Sequence, residues 1–320
     1  MVQTDKENLK YDYLVLASGG RPRKITNIPG HQLDNIFQLR TPQDGNRIVE
    51  KAKGQNVVVV GSSFIGTEVA SYLADKAASV TIVCRGEYPL EKALGVEVAK
   101  FVKSLHESKG VKFAINAEVE SFSAGSDGKS VGSVTLKGQN DPLKADLVVL
   151  GIGVEPTTQY LAHTNILDEA GNVLVNDFLQ VPQIPNIFAG GDIAHFPLNL
   201  ATIQTKVSIG HWQIAQNHGR RIGLNIGADT LESVKTVPFF WTVQYGKSLR
   251  YAGHAPEYDD ILYEGNVADG SFVAYYCQGE NVMAVATLGR DPVAADFANL
   301  LLCDGLIKKN EAVNGQWRNK

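Results

Sequence analysis

A chain of 320 residues, 44% of them hydrophobic and 20% charged, is long enough for two or three domains with well-buried cores. Its formal net charge of −4 argues against a polyanion such as nucleic acid as partner, and no apolar run is long enough to span a bilayer. The polar opening MVQTDKENLK, mixed in charge, is unlike a secretory leader.

The first apolar stretch, YDYLVLASGGRPR (11–23), reads as a buried strand that ends in small residues and two arginines. Ala17 and Gly19 at such a strand end allow a ligand close to the backbone, although SGGRP is equally good turn chemistry.

Residues 56–87, NVVVVGSSFIGTEVASYLADKAASVTIVCRGE, read as strand, glycine turn, helix and second strand. The β-branched run 56–60 has the pattern of a strand buried on both faces. Gly61 and Gly66 occupy the first and third positions of G-x-G-x-x-G, the first permitting the sharp turn and the third letting the helix pack close. The middle position is Ser63, which crowds a pyrophosphate but can donate a hydrogen bond to it. Ser63, Phe64 and Ile65 lead into a helix whose N-terminus offers free N–H groups to phosphate. Ile65, Val69, Tyr72 and Leu73 are spaced for its buried face. After the strand 79–83 the position that usually carries a ribose-binding acid is Cys84, followed by Arg85 and Glu87. Glu87 suits NAD and Arg85 the 2′-phosphate of NADP; NAD is preferred, NADP stays open, and either charge also fits a solvated surface.

Further on, GVEVAKFVKSLHESKG (95–110) predicts an amphipathic helix, and the stretches 111–122, 130–138 and 144–153 predict strands, with SAGSDGKS (123–130) as a hairpin-type loop. IPNIFAGGDIAHFP (184–197) is a second strand ending in Gly-Gly-Asp, where Gly191 and Asp192 again suit a ligand or a turn. A long helix follows through 211–226, then aromatic-rich strands from 236 and a closing helix in 291–307. The three cysteines, Cys84, Cys277 and Cys303, are far apart and form no C-x-x-C. That argues against a redox disulfide and a metal site, and fits small buried residues in a reducing compartment.

LASGG, AGGD and LVVLGIGVEP (147–156) together resemble the two-dinucleotide pyridine-nucleotide flavoprotein reductases, in which an FAD domain is split by an inserted NAD(P)H domain. GHWQIAQNHG (210–219) and VPFFWTVQYGKSLRYAG (237–253) narrow the resemblance to flavoproteins of the apoptosis-inducing-factor and ferredoxin-reductase type, closest to a Rieske-fused branch. The implied fold class is α/β: two Rossmann-like dinucleotide-binding domains, the FAD domain incomplete and the NAD domain inserted, plus a C-terminal α+β domain. The expected division is 1–46 and 157–235 for FAD, 47–156 for NAD(P)H, and 236–320 for the C-terminal reductase interface.

By that resemblance the cofactors are FAD and NAD(P)H, and the activity is hydride transfer to flavin. Onward one-electron delivery would go to an iron–sulfur acceptor, Rieske or ferredoxin-like, in the cytoplasm or mitochondrion. An association with apoptosis comes with the resemblance alone. Asp192 would hold the flavin ribitol, and Arg21 and Arg23 would neutralise FAD phosphates. His211, Trp212 and Trp241 would approach the rings. Gly153 with Glu155-Pro156 would shape the loop over the nicotinamide. Glu68, read as lying in the helix's first turn, would sit near the nicotinamide carboxamide. Helix-dipole stabilisation explains Glu68 equally well, helix capping is the alternative for Asp192, and core packing for the aromatics. The family's own FAD glycine turn has no counterpart before Tyr11, so the chain is expected to start inside the FAD domain, at a hairpin. It should expose a sheet edge and hold FAD weakly unless a partner supplies the missing strands. The alternative function is an inactive dinucleotide-binding or interaction module.

Overall fold

The computed structural model describes residues 1–201 and 203–319. Its centre is a five-stranded, all-parallel sheet in the order Ile36–Gln38, Leu147–Leu150, Asn56–Val60, Ser79–Val83, Lys112–Ala114. The four consecutive valines of Asn56–Val60 are explained by the layers around them. Val57 and Val59 pack with Val69, Leu73, Val80, Ile82, Leu147 and Val149 on one face. Val58 and Val60 pack with Val83, Val134, Leu136, Val148 and Leu150 on the other. A strand covered on both sides has no use for alternation. The second face is closed by the antiparallel strands Val119–Ala124, Val131–Leu136 and Leu143–Lys144.

Three details differ from the sequence expectation. The stretch 111–122 is two strands, not one. Lys112–Ala114 stays in the parallel sheet, the chain turns at Asn116 with φ 49°, and Val119–Ala124 joins the antiparallel hairpin. Glu91–Glu107 is helical from four residues earlier than expected and is broken at Gly95, whose φ of 77° no helix interior tolerates. The expected boundary at 46/47 falls inside the helix Pro42–Ala52, and Ile36–Gln38 from before it pairs into the parallel sheet.

A smaller sheet combines Leu14–Leu16, parallel to Ile184–Ala189, with Gln180–Val181. The expected N-terminal hairpin is Val2–Gln3 against Asn8–Leu9. Gly20–Pro22 pairs with Val154–Pro156, tying the exit of the large sheet to the small one. The C-terminal unit is a five-stranded antiparallel sheet, ordered Phe239–Gln244, Lys247–Gly253, Asn281–Leu288, Ser271–Gln278, Asp260–Asn266. The helix Val293–Leu302 packs on it, and a short further helix, Lys309–Asn314, follows. The small sheet, this C-terminal unit and the helix Glu91–Glu107 share one core, with Phe188, Phe196, Leu94, Tyr275, Tyr276 and Phe297 all buried.

Candidate functional site

At the end of Asn56–Val60 the chain turns at Gly61 with φ 110°, and a Cβ there would lie 2.3 Å from the Gly151 carbonyl oxygen. A Cβ on Gly66 would lie 2.0 Å from the Gly61 carbonyl oxygen. The two glycines are therefore required by backbone contact between turn, helix and the neighbouring strand's exit. Ser63 is the exposed N-cap of the helix Phe64–Leu73 and makes no capping hydrogen bond with its side chain, so the helix's first N–H groups keep no side-chain partner. The arrangement fits a dinucleotide's phosphates. Phe64 packs edge-on against Phe240 at 4.8 Å, and Ile65 is half-buried against the sheet core. Tyr72 departs from expectation. The buried stripe is Gly66, Val69, Ala70 and Leu73, while Tyr72 is 57% exposed with the Lys76 ammonium 4.3 Å from its ring centre. Arg85 and Glu87 are both exposed beyond Ser79–Val83, Arg85 lying 3.7 Å from the Glu118 carboxylate.

Glu68 lies in the second turn of its helix, whose first turn holds no acid, so the dipole explanation offered by the sequence does not apply. Burial pushes its carboxyl above the usual range, opposed by a hydrogen bond from the Thr242 hydroxyl at 2.7 Å. Glu68 lines an open groove of about 1130 Å³ with Tyr72, Tyr245, Val243 and Trp241, between the nucleotide-type unit and the C-terminal sheet.

The second cluster forms where the two strand-end motifs meet. A Cβ on Gly20 would be 3.5 Å from the Asp192 carboxylate, and one on Gly19 would be 3.6 Å from the Arg40 guanidinium. Arg40 donates to Asp192 at 3.1 Å. Arg40 is held by the helix behind it. Its N–H and that of Thr41 both bond the Asp44 carboxylate in a capping box, and those bonds keep the Asp44 carboxyl below its usual range. Asp192 sits in the turn Gly191–Ile193, and the Gly191 N–H is received by Nδ1 of the buried His218 at 3.2 Å. His211 caps the helix Trp212–Asn225 by accepting from the Gln213 N–H. Its ring lies 6.4 Å from Trp212 and from Trp241, and the two indoles are 6.3 Å apart. Burial lowers the His211 pKa, and the Asp192 charge opposes that shift. Trp212 and Trp241 remain 58% and 45% exposed, leaving a bare aromatic face beside Asp192.

Arg21 is bound to Glu155 at 2.6 Å, and the Arg23 Nε donates to the Val154 carbonyl at 3.2 Å. Both arginines thus hold the pairing of Gly20–Pro22 with Val154–Pro156. Ala17 is exposed, and Gly153 has φ 98° and faces the Arg23 side chain. Arg40, Thr242 and His218 escaped the sequence reading. Only Arg40 had a usable sign, since the T-P-Q-D pattern marks a helix start just after it.

Trp241 thus joins the Asp192 cluster, through His211, to the groove lined by Glu68. The chain belongs to the pyridine nucleotide-disulphide oxidoreductase family, which matches residues 1–219, and a reductase C-terminal domain matches residues 239–314. It is 40% identical to apoptosis-inducing factor 3 of Homo sapiens over 312 residues, 97% of this chain and 50% of that protein. It is 31% identical to rhodocoxin reductase of Rhodococcus erythropolis over 301 residues, 91% of this chain and 67% of that protein. The covalent putidaredoxin reductase–putidaredoxin complex superposes with a TM-score of 0.86 at 28% identity, covering 94% of this chain and 72% of that one. The chain spans about half the length of the human and mouse apoptosis-inducing factor 3 proteins. Among the described residues no helix is long and apolar enough to cross a membrane.

Proposed function

We propose that the chain is the NAD(P)H-facing and acceptor-facing part of a flavoprotein reductase that moves electrons from NAD(P)H through FAD to an iron–sulfur protein. The observation that carries this reading is convergence. Gly20 and Asp192, far apart in sequence, meet around Arg40, and Trp241 reaches from that cluster to the groove lined by Glu68.

For the nucleotide, Gly61, Ser63 and Gly66 give backbone approach and a helix N-terminus, with Glu87 preferred over Arg85 at the ribose end. For the flavin, Gly19, Gly20, Arg40 and Asp192 give a small-residue cradle with a donor and an acceptor, and His211, Trp212 and Trp241 give flat surfaces. When bound, the flavin supplies the exchange between two-electron and one-electron chemistry. The protein's share is to hold the rings, exclude water with the indoles, and present Asp192 and Glu68 as fixed acceptors. The acceptor class rests on the likeness to reductases of iron–sulfur proteins, and a Rieske or ferredoxin-like centre is the partner proposed. Cys84 and Cys277 are the buried thiols expected, whereas Cys303 is exposed, against that expectation; all three are free, and a reducing compartment, cytosolic or mitochondrial, is proposed.

A second reading has its own support. Leu14–Leu16 is an open sheet edge, with Tyr13 and Val15 exposed by 47% and 43%. A chain working alone in this form is a nucleotide-binding module, and a segment that adds strands at this edge completes the flavin site. Purified protein incubated with FAD and desalted separates the two. Yellow protein that bleaches with NADH under anaerobic conditions supports the reductase. Colourless protein that still binds NADH establishes the module.

A further inference from the structure

Behind Glu68 lies a buried polar chain that crosses from the nucleotide-type unit to the C-terminal sheet. Thr67, His106, Thr242 and Gln244 are each no more than 5% exposed. The direction of every bond in it can be deduced. The Thr67 hydroxyl lies 3.1 and 3.0 Å from the Ser63 and Phe64 carbonyls and spends its proton there, so toward Gln244 it only accepts. The Gln244 group facing it at 2.9 Å is therefore the amide NH2, which also donates to the Thr242 hydroxyl at 3.2 Å. Thr242, already an acceptor from Gln244, gives its own proton to Glu68. The Gln244 carbonyl then faces His106 Nε2 at 2.9 Å, which must carry the ring proton. His106 Nδ1 is left bare and accepts from the Tyr245 hydroxyl at 2.9 Å.

All these groups are satisfied, and each donor from Tyr245 to Thr242 points toward Glu68. An amide in the middle does not relay protons, so the chain is a fixed orienting device and not a proton wire. Burial holds His106 near a pKa of about 4 and raises Tyr245 to about 12, so both keep these roles across the neutral range.

We propose that His106, Gln244 and Thr242 are positioning residues for Glu68, turning one carboxylate oxygen toward the C-terminal sheet and the other toward the amide of a nicotinamide ring. The inference rests on the nucleotide reading above. It makes recognition of the nicotinamide end depend on docking of Phe239–Gln244 against the helices Phe64–Leu73 and Glu91–Glu107, while the adenosine end is independent of it.

The test uses the chain itself with two probes, NADH and ADP-ribose, which lacks the nicotinamide. Thr242→Val is nearly isosteric and removes one donor to a carboxylate. It is expected to weaken NADH about tenfold and leave ADP-ribose unchanged, with Thr242→Ser restoring NADH affinity. A Thr242→Val protein that binds NADH like wild type while ADP-ribose still binds overturns the positioning role and leaves the nucleotide reading standing. Wild-type protein that binds neither probe overturns both. A nitrogen-15 spectrum of His106 supplies an independent reading. One neutral tautomer with the proton on Nε2 is expected, and a proton on Nδ1 overturns the deduced direction.

Discussion

Asn56–Val60 and Leu14–Leu16 are both short apolar strands that run into glycine-containing turns, and each pairs in parallel with a later strand. The first has a strand on both sides and a core on both faces; Val58 is 1% exposed. The second has one neighbour, and Val15 is 43% exposed. The same kind of sequence is thus a saturated sheet centre in one place and an open edge in the other. Apolar β-branched content states where a strand is fit to lie, and its neighbours decide whether it lies there. The comparison also separates the two ligand clusters. The Gly61 turn leaves no room for a side chain, whereas the Gly19 turn, paired through its backbone to Val154–Thr157, carries in addition the Arg40–Asp192 and Arg21–Glu155 ion pairs.

The strongest way to break the comparison is at the Gly61 turn. Gly66→Val drives a side chain into the Gly61 carbonyl, where a Cβ would already lie at 2.0 Å. Helix and strand must separate, at a cost of roughly 3 kcal/mol or more. Loss of NADH binding and a large fall in the urea midpoint are the expected outcome, and a wild-type midpoint would show that the turn relaxes freely. At the Gly19 turn, Arg40→Met is expected to leave the midpoint within about 1 kcal/mol, since the Arg40–Asp192 pair is partly solvated. Its effect belongs in FAD retention, measured as flavin absorbance after desalting.

Acid sharpens the comparison because each region buries a neutral histidine. His106 joins the nucleotide-type unit to the C-terminal sheet, and His218 supports the Asp192 turn; burial lowers both pKa values to about 4. Their folded-state pKa lies below the unfolded value near 6.5, so between the two the unfolded chain binds the extra protons. Stability is full above about 6.5 and is lost as pH falls toward about 4. From pH 7 to pH 5 each histidine accounts for about 2 kcal/mol. Urea midpoints at several pH values check this, with His218→Leu expected to flatten the slope by one histidine's share. A midpoint independent of pH across that window contradicts the burial of both rings.

The large sheet was legible in the sequence because both local patterns and glycine spacing agree there. Asn56–Val60, the Gly61–Gly66 turn and Ser79–Val83 needed no tertiary information. Tyr72 was misplaced because a helical stripe one residue wide of the core still counts as periodic. Glu68 falls in the second turn because Ser63 stays extended and the helix begins at Phe64, a boundary that sequence periodicity does not fix to the residue. The Glu68 chain was illegible in principle. His106, Thr242 and Gln244 are ordinary residues on separate elements, and only packing brings them together.

The smallest effect tests the comparison most directly, because the same substitution is made in both strands. Threonine has the shape of valine and adds a hydroxyl. At Val58 that hydroxyl enters a dry core between two covered sheet faces, at a cost of about 1–3 kcal/mol for an unpaired polar group. At Val15 water reaches the side chain, and the change is expected to stay within about 0.5 kcal/mol. Urea unfolding of the two single variants gives both numbers under one condition. If Val15→Thr costs as much as Val58→Thr, the small sheet's edge is covered in solution, and the neighbour that covers it becomes the first thing to identify. If Val15→Thr instead stays nearly neutral, the variant is expected to acquire the full cost only when a segment pairs along that edge, because burial there converts a solvated hydroxyl into an orphaned one.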